Sequence, residues 1–212
     1  MAIEGPEGLK LYPGRLSPEA QRALVAEILA ASDRAPFFTP RMPKSGKPFS
    51  VTMSNRGPLG WVADRDGYRY QPTHPETGEP WPPIPASLLD LWDALTGYAA
   101  PPEACLVNYY RPGAKMGLHR DEDEAAMDAP ILSVSLGDTA LFRIGGPSRK
   151  DPTSSFRLAS GDVLVLAGPS RACFHGIDRL YGGSSGLLTP YGALFAEGGR
   201  INLTLRRVTV PQ

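Results

Sequence analysis

The sequence predicts a mainly β protein with flanking helices, built on a double-stranded β-helix (jelly-roll) core. Three observations predict it. Eight short strand-like runs crowd the chain after Pro102, at 105–111, 115–121, 131–137, 139–144, 155–159, 162–167, 172–177 and 201–210. Short strands at such close spacing suit two sheets folded over one another. Apolar residues at helical spacing appear in only two places, both ahead of those strands. Glycine and proline number 23 each among 212 residues, which supplies turns and breaks helices.

The first helix opens at Ser17-Pro18, a Ser cap with Pro at the first helical position, and carries Leu24, Val25, Ile28 and Leu29 on one face. From Pro36 to Pro85 proline is too dense for long helices, and Phe49–Met53 is the candidate strand there. Ser87 is the expected cap of a second helix, with Leu88, Leu91, Trp92 and Leu95 inward. Among the strands, Gly137-Asp138 and Ser160-Gly161-Asp162 read as hairpin turns. The glycine-rich stretch 181–199 reads as a long loop before the last strand. There is no internal repeat.

This length suits one well-buried core, and the expected organisation is a single domain over 1–212, with helices and a recognition region in 1–104 and the jelly roll in 105–212. A formal net charge of zero argues against a general nucleic-acid coat protein. Locally, however, Arg34, Arg41, Lys44, Lys47 and Arg56 are opposed only by Asp33 between residues 33 and 56, a segment able to follow phosphates. The start lacks the basic and apolar regions of a signal peptide, and no apolar run approaches a membrane span. Cys105 and Cys173, far apart in sequence, read as reduced core residues. A cytoplasmic monomer with no membrane partner is the expectation.

The chemistry centres on His119-Arg120-Asp121. On an extended strand, side chains two residues apart share a face, so His119 and Asp121 point together. A second imidazole from a later strand, His175, completes two nitrogens and a carboxylate. That facial set leaves coordination positions open and suits non-haem Fe(II). Taken alone, His-x-Asp is a short motif that also fits a surface histidine. The run Arg200-Ile-Asn202-Leu-Thr204-Leu-Arg206 adds weight, because its four polar residues share one strand face. That face is either a wet edge or the interior of the roll. In the interior, buried guanidinium groups need an anion such as a dicarboxylate. Asn108 and Tyr110 alternate onto one face and add neutral donors.

These runs, together with Arg111-Pro-Gly-Ala-Lys115, Leu118, Asp123, Ser133-Val-Ser-Leu-Gly137, Gly161-Asp162 and His175-Gly176, resemble the AlkB family. Its members are Fe(II)- and 2-oxoglutarate-dependent dioxygenases that reverse alkylation damage. The resemblance spans nearly the whole chain. Met53-Ser-Asn-Arg-Gly-Pro-Leu-Gly60-Trp61 and Gly67-Tyr68-Arg-Tyr70 look like the substrate lid of the bacterial enzymes.

The resemblance implies iron ligands His119, Asp121 and His175. It implies a 2-oxoglutarate site of Asn108, Tyr110, Arg200, Asn202, Thr204 and Arg206, with Arg200 on the far carboxylate and Arg206 near the metal. Met53, Trp61, Tyr68, Tyr70, Asp123 and Arg149 match substrate contacts, Trp61 stacking on an extruded base opposite His119. The implied reaction consumes O2 and demethylates 1-methyladenine or 3-methylcytosine in DNA, single-stranded with the base flipped, or in RNA, releasing formaldehyde. Arg120, Glu122 and Tyr109 differ from the residues usual in the bacterial repair enzyme, and the loop from His175 to Arg200 is longer, which leaves substrate range open. The competing readings are the same core acting on RNA or protein, and a non-catalytic jelly roll that binds metal or nucleic acid.

Overall fold

In a computed structural model, which describes residues 5–211, twelve strands and two α-helices follow the order β1 (Leu9–Tyr12), α1 (Pro18–Ala30), β2 (Thr52–Arg56), β3 (Gly60–Asp64), β4 (Gly67–Gln71), α2 (Ala86–Thr96), β5 (Ala104–Tyr110), β6 (Met116–His119), β7 (Ile131–Gly137), β8 (Thr139–Ile144), β9 (Ser154–Leu158), β10 (Val163–Leu166), β11 (His175–Tyr181) and β12 (Arg200–Arg206). The major sheet runs β1-β10-β7-β12-β5-β2 and the minor sheet β6-β11-β8-β9, with β3-β4 a separate hairpin. Every pairing is antiparallel. This is the expected double-sheet roll.

Strand β12 shows how alternation builds the site. Ile201, Leu203 and Leu205 face outward onto the helices, where they join Leu24, Val25, Ile28, Leu88 and Trp92 in one apolar layer. Arg200, Asn202, Thr204 and Arg206 therefore face the interior of the roll, and all four are buried. The wet-edge alternative is excluded, because β12 lies between β5 and β7. A second apolar cluster, including Leu106, Phe142, Leu164 and Ile177, lines the space between the sheets.

Ser17 caps α1 as expected, its hydroxyl accepting from the Ala20 amide at 3.2 Å. Arg56 closes the other end of that helix. It is buried and donates to the carbonyls of Glu27 and Ile28, which have no partner further along α1. It therefore leaves the basic segment that was expected to face phosphates.

Several local expectations are corrected. Helix α2 begins at Ala86 with Pro85 at the cap position, so Ser87 lies inside the first turn and caps nothing. The strand expected at 49–53 forms three residues later, where Met53 finds its partner Asn108 on β5. The strand expected at 172–177 begins at His175, because Gly168–Ala172 coils into a 3-10 turn. Neither Gly137-Asp138 nor Ser160-Gly161-Asp162 closes a hairpin. Each carries the chain between sheets, from β7 to β8 and from β9 to β10. The corner residues are tied to remote chain instead of to a facing strand. Asp138 accepts from the amides of Gly199 and Ser185, and Ser160 accepts from that of Gly137.

Candidate active site

The minor sheet brings the two histidines together. His119 ends β6 and His175 begins β11, and the two are direct register partners. Strand β6 stops at His119, so Asp121 is not on the strand that was expected to present it. It lies two residues beyond and still turns back to the pair. Its Oδ1 is 3.7 Å from His119 Nε2 and its Oδ2 is 3.7 Å from His175 Nε2. Donor atoms of all three lie within 4.8 Å of one another.

The hydrogen bonds behind the rings decide which nitrogen is free. His119 Nδ1 meets the Gly117 carbonyl at 2.9 Å and His175 Nδ1 meets that of Cys173 at 3.1 Å. A carbonyl only accepts, so each Nδ1 carries the proton and each Nε2 turns a lone pair inward. Burial pushes the His175 imidazole down to about 4, which keeps it neutral despite Asp121. Burial alone would raise the Asp121 carboxyl, yet the Arg206 guanidinium beside it holds it well below the usual carboxylate range. Two neutral imidazole nitrogens and one ionised carboxylate fit Fe(II).

Behind and in front of this triad lies one chamber of about 740 Å3. Asn108, Tyr110, Arg200, Asn202, Thr204 and Arg206 line its inner part. Arg200 is 1% exposed, and neither its Nε nor its Nη1 has a partner. Burial lowers its pKa to about 10, so the group stays cationic at neutral pH. A buried cation with unused donors is costly unless an anion reaches it, and a carboxylate of 2-oxoglutarate fits that need. Tyr110, its register partner, is pushed up to about 12 by burial and remains a neutral hydroxyl. Asn202 is already engaged, donating to Ser133 Oγ and the Val134 carbonyl and accepting from Thr204.

Arg206 is spoken for differently. Its Nη2 contacts Asp121 Oδ1 at 2.8 Å, and its Nη1 donates to Glu124 Oε1 at 2.8 Å and to the Tyr70 hydroxyl at 3.0 Å. Only Nε is buried without a partner. Arg206 thus lies against the carboxylate of the triad, at the opposite end of β12 from Arg200.

Met53, buried beside its register partner Asn108, lines the chamber wall, and at the mouth stand Trp61, Tyr68, Asp123 and Arg149. The β3–β4 hairpin presents Trp61 and Tyr68 stacked, with centroids 5.5 Å apart and planes 16° from parallel. Trp61 Nε1 donates to Asp123 Oδ2 at 2.7 Å. Arg149 lies over the Phe174 ring, 5.4 Å from its centroid, with Arg120 also 5.7 Å from that centroid. Tyr70 is the expected substrate contact that is not brought to the chamber. Its hydroxyl turns inward to Glu124 and Arg206.

Two polar residues at the site escaped the sequence reading. Glu124 is 4% exposed and Arg171 is 3% exposed, and they pair at 2.9 Å. Glu124 had the signal of lying three residues past a metal carboxylate. Arg171 sits in a 3-10 turn with no pattern to mark it.

A sequence model of the 2OG-Fe(II) oxygenase superfamily matches residues 8–206. The alpha-ketoglutarate-dependent dioxygenase AlkB homolog of Caulobacter vibrioides is 57% identical over 200 residues, covering 94% of this chain and 87% of that protein. The alpha-ketoglutarate-dependent dioxygenase AlkB of Escherichia coli K12 is 41% identical over 192 residues, covering 88% of each chain. The solved structure of OsALKBH1 superposes with a TM-score of 0.78 at 29% identity, covering 97% of this chain and 99% of that one. The metal triad, the roll around it and these relatives agree: this chain belongs to the AlkB family of Fe(II)- and 2-oxoglutarate-dependent dioxygenases.

Proposed function

We propose that the protein oxidatively demethylates N-alkylated bases, 1-methyladenine and 3-methylcytosine, in DNA and also in RNA. The observation that carries this reading is the single chamber joining an unpartnered Arg200, the His119–Asp121–His175 donors and the aromatic mouth of Trp61 and Tyr68. His119 Nε2, His175 Nε2 and an oxygen of Asp121 would hold iron. Arg200 would receive the far carboxylate of 2-oxoglutarate, with Asn108, Tyr110, Asn202, Thr204 and the Nε of Arg206 around the rest. Bound iron with 2-oxoglutarate and O2 supplies the oxidation of an N-methyl carbon, which then leaves as formaldehyde.

The chain's own residues define how the base is held. An extruded base enters between Trp61 and His119, where ring stacking holds it without regard to its identity. Asp123 offers a carboxylate to the positive charge that N1 or N3 methylation gives the ring. Met53 closes the apolar wall, and Tyr68 and Arg149 stand at the rim for the flanking strand. Arg41, Lys44 and Lys47 are exposed on a short loop closed by the Arg41–Pro48 bridge, and Met42 and Pro48 of that loop edge the chamber, a path for phosphates. Single-stranded substrate suits this mouth, because no paired base has to be unstacked from a duplex. Among the described residues no helix is long and apolar enough to cross a membrane. Two buried free cysteines suit a reducing compartment, and we place the enzyme in the cytoplasm as a monomer.

The test is incubation with Fe(II), ascorbate and a single-stranded oligonucleotide carrying 3-methylcytosine, followed by mass spectrometry. Methyl loss that requires 2-oxoglutarate is expected. Succinate formation without methyl loss would move the substrate elsewhere, and neither product from folded, iron-loaded protein would overturn the reading.

A further inference from the structure

We propose that Glu124 and Arg171 are positioning residues for the metal carboxylate, closing with Arg206 a buried ring around Asp121 that leaves it one oxygen for iron. The ring can be followed atom by atom. Arg171 Nη1 donates to the main-chain carbonyl of Asp121 at 2.6 Å, and its Nη2 to Glu124 Oε2 at 2.9 Å. Glu124 Oε1 accepts from Arg206 Nη1 at 2.8 Å. Arg206 Nη2 returns to Asp121 Oδ1 at 2.8 Å. Asp121 is thus gripped by its main chain through one arginine and by its side chain through the other, and Glu124 is the bridge between them.

Charge explains why the ring can be buried. Two guanidinium and two carboxylate groups cancel, and no side chain in it is more than 8% exposed. Such clusters rarely stabilise a fold more than apolar residues of the same volume, so stability alone is a weak reason for one here. Its geometry supplies a better reason. Arg206 occupies Oδ1, so Oδ2 is the stronger remaining donor, and a metal bound through one oxygen keeps a coordination position that a two-oxygen carboxylate would fill. Arg171 also donates to the Ala129 carbonyl, which anchors the ring to the residues just before β7. Partners that orient a ligand in this way commonly change metal affinity about 10- to 100-fold when removed.

This inference rests on the iron assignment above, and the experiment separates the two. Mn(II) is titrated into metal-free wild type, His119→Ala, Glu124→Gln and Glu122→Gln. Glu122 carries the same charge two residues earlier in sequence but lies on the surface, paired with Arg120. Glu124→Gln should keep its circular dichroism and bind Mn(II) at least about tenfold more weakly, while Glu122→Gln stays within about threefold of wild type. In wild type, the Mn(II)-minus-apo infrared difference should show the widely split carboxylate bands of one-oxygen binding. Unchanged affinity in folded Glu124→Gln, or the narrow splitting of two-oxygen binding, overturns the ring's role. Undiminished Mn(II) binding by His119→Ala overturns the iron assignment instead. Should Glu124→Gln not fold, Arg171→Lys takes its place, keeping the charge but not the fork that reaches three acceptors, and the infrared result stands regardless.

Discussion

His119 and His175 are register partners across β6 and β11, and the residue that allows the strands to approach so closely there is Gly176. A Cβ at Gly176 would lie 2.5 Å from the Met116 carbonyl oxygen and 2.9 Å from that of Gly117. Gly117 is also the acceptor that holds the His119 ring. The space left by a missing methyl group therefore sets both the separation of the two imidazoles and the orientation of one of them.

Gly176→Ala should accordingly act on the metal before the fold. The new methyl meets backbone, which cannot rotate away, so β6 must move off β11 and carry His119 with it. The expected result is Mn(II) affinity lowered about tenfold or more, with most of the far-UV dichroism retained. Wild-type affinity in this variant would mean that the strand separation does not govern the site.

Arg200 gives a prediction in which stability and function move in opposite directions. Its Nε and Nη1 are buried without partners, so the protein free of co-substrate carries an uncompensated cost. Arg200→Met should raise the thermal midpoint of the metal-free protein, since replacing buried charges by apolar groups is commonly neutral or stabilising by about 1–4 kcal/mol. The same change should abolish stabilisation by 2-oxoglutarate. In wild type that stabilisation reaches about 2.7 kcal/mol at a hundred times Kd. Differential scanning fluorimetry with and without 2-oxoglutarate and Mn(II) reads both effects, and a lower midpoint without ligand would show that Arg200 is satisfied from within.

These cases show what the sequence made legible. Alternation along 200–206 put Arg200, Asn202, Thr204 and Arg206 on one face correctly, because period two holds in any strand. That the face is interior follows only from the position of β12 between β5 and β7. The same reasoning extended β6 through Asp121, two residues too far. What turns Asp121 inward is the grip of Arg171 and Arg206, which no local pattern records. Turn chemistry at Gly137-Asp138 and Ser160-Gly161-Asp162 located bends correctly and misassigned their partners, since a corner between sheets and a hairpin ask for the same glycine. Tyr70 was placed on the right hairpin and shares a strand face with Tyr68, two residues away, and with its register partner Trp61. What alternation does not give is how far along that face the chamber reaches. The Tyr70 hydroxyl went to Glu124, whose burial is a property of the ring and not of its neighbours in sequence.

Asp123 should separate lesions by charge. It lies at the mouth, exposed, with Oδ2 accepting from Trp61 and its negative charge available to a methylated ring. A unit charge pair near 4 Å in a wet site is worth about 1 kcal/mol or somewhat more. Asp123→Asn should therefore lower kcat/KM on cationic 3-methylcytosine about five- to tenfold relative to neutral 3-methylthymine. Steady-state assays on the two oligonucleotides measure the ratio, and an equal loss on both would make Asp123 a holder of Trp61 only.

Acid stability should trace in part to Glu103, far from the chamber. Its carboxylate accepts from the amides of Val208 and Thr209 at 3.0 and 2.7 Å and from the Thr209 hydroxyl at 2.7 Å, fastening the segment after β12 beside β5. Burial alone would raise its pKa, but these bonds, led by the Thr209 amide and hydroxyl, together with Arg207 hold it below its ordinary 4.5. A carboxylate whose folded pKa is lowered stabilises the fold above its unfolded value, and that contribution fades as pH falls through the folded value. The contribution is therefore whole at pH 6 and is lost below 4.5. Glu103→Gln should cost about 1–2 kcal/mol at neutral pH, the scale of hydrogen bonds to a charged acceptor. Because the glutamine does not titrate, the gap should close in acid. Urea melts of both proteins between pH 7 and pH 3 test this, and a gap that stays constant across that range would assign the latch to neutral hydrogen bonding rather than to the charge.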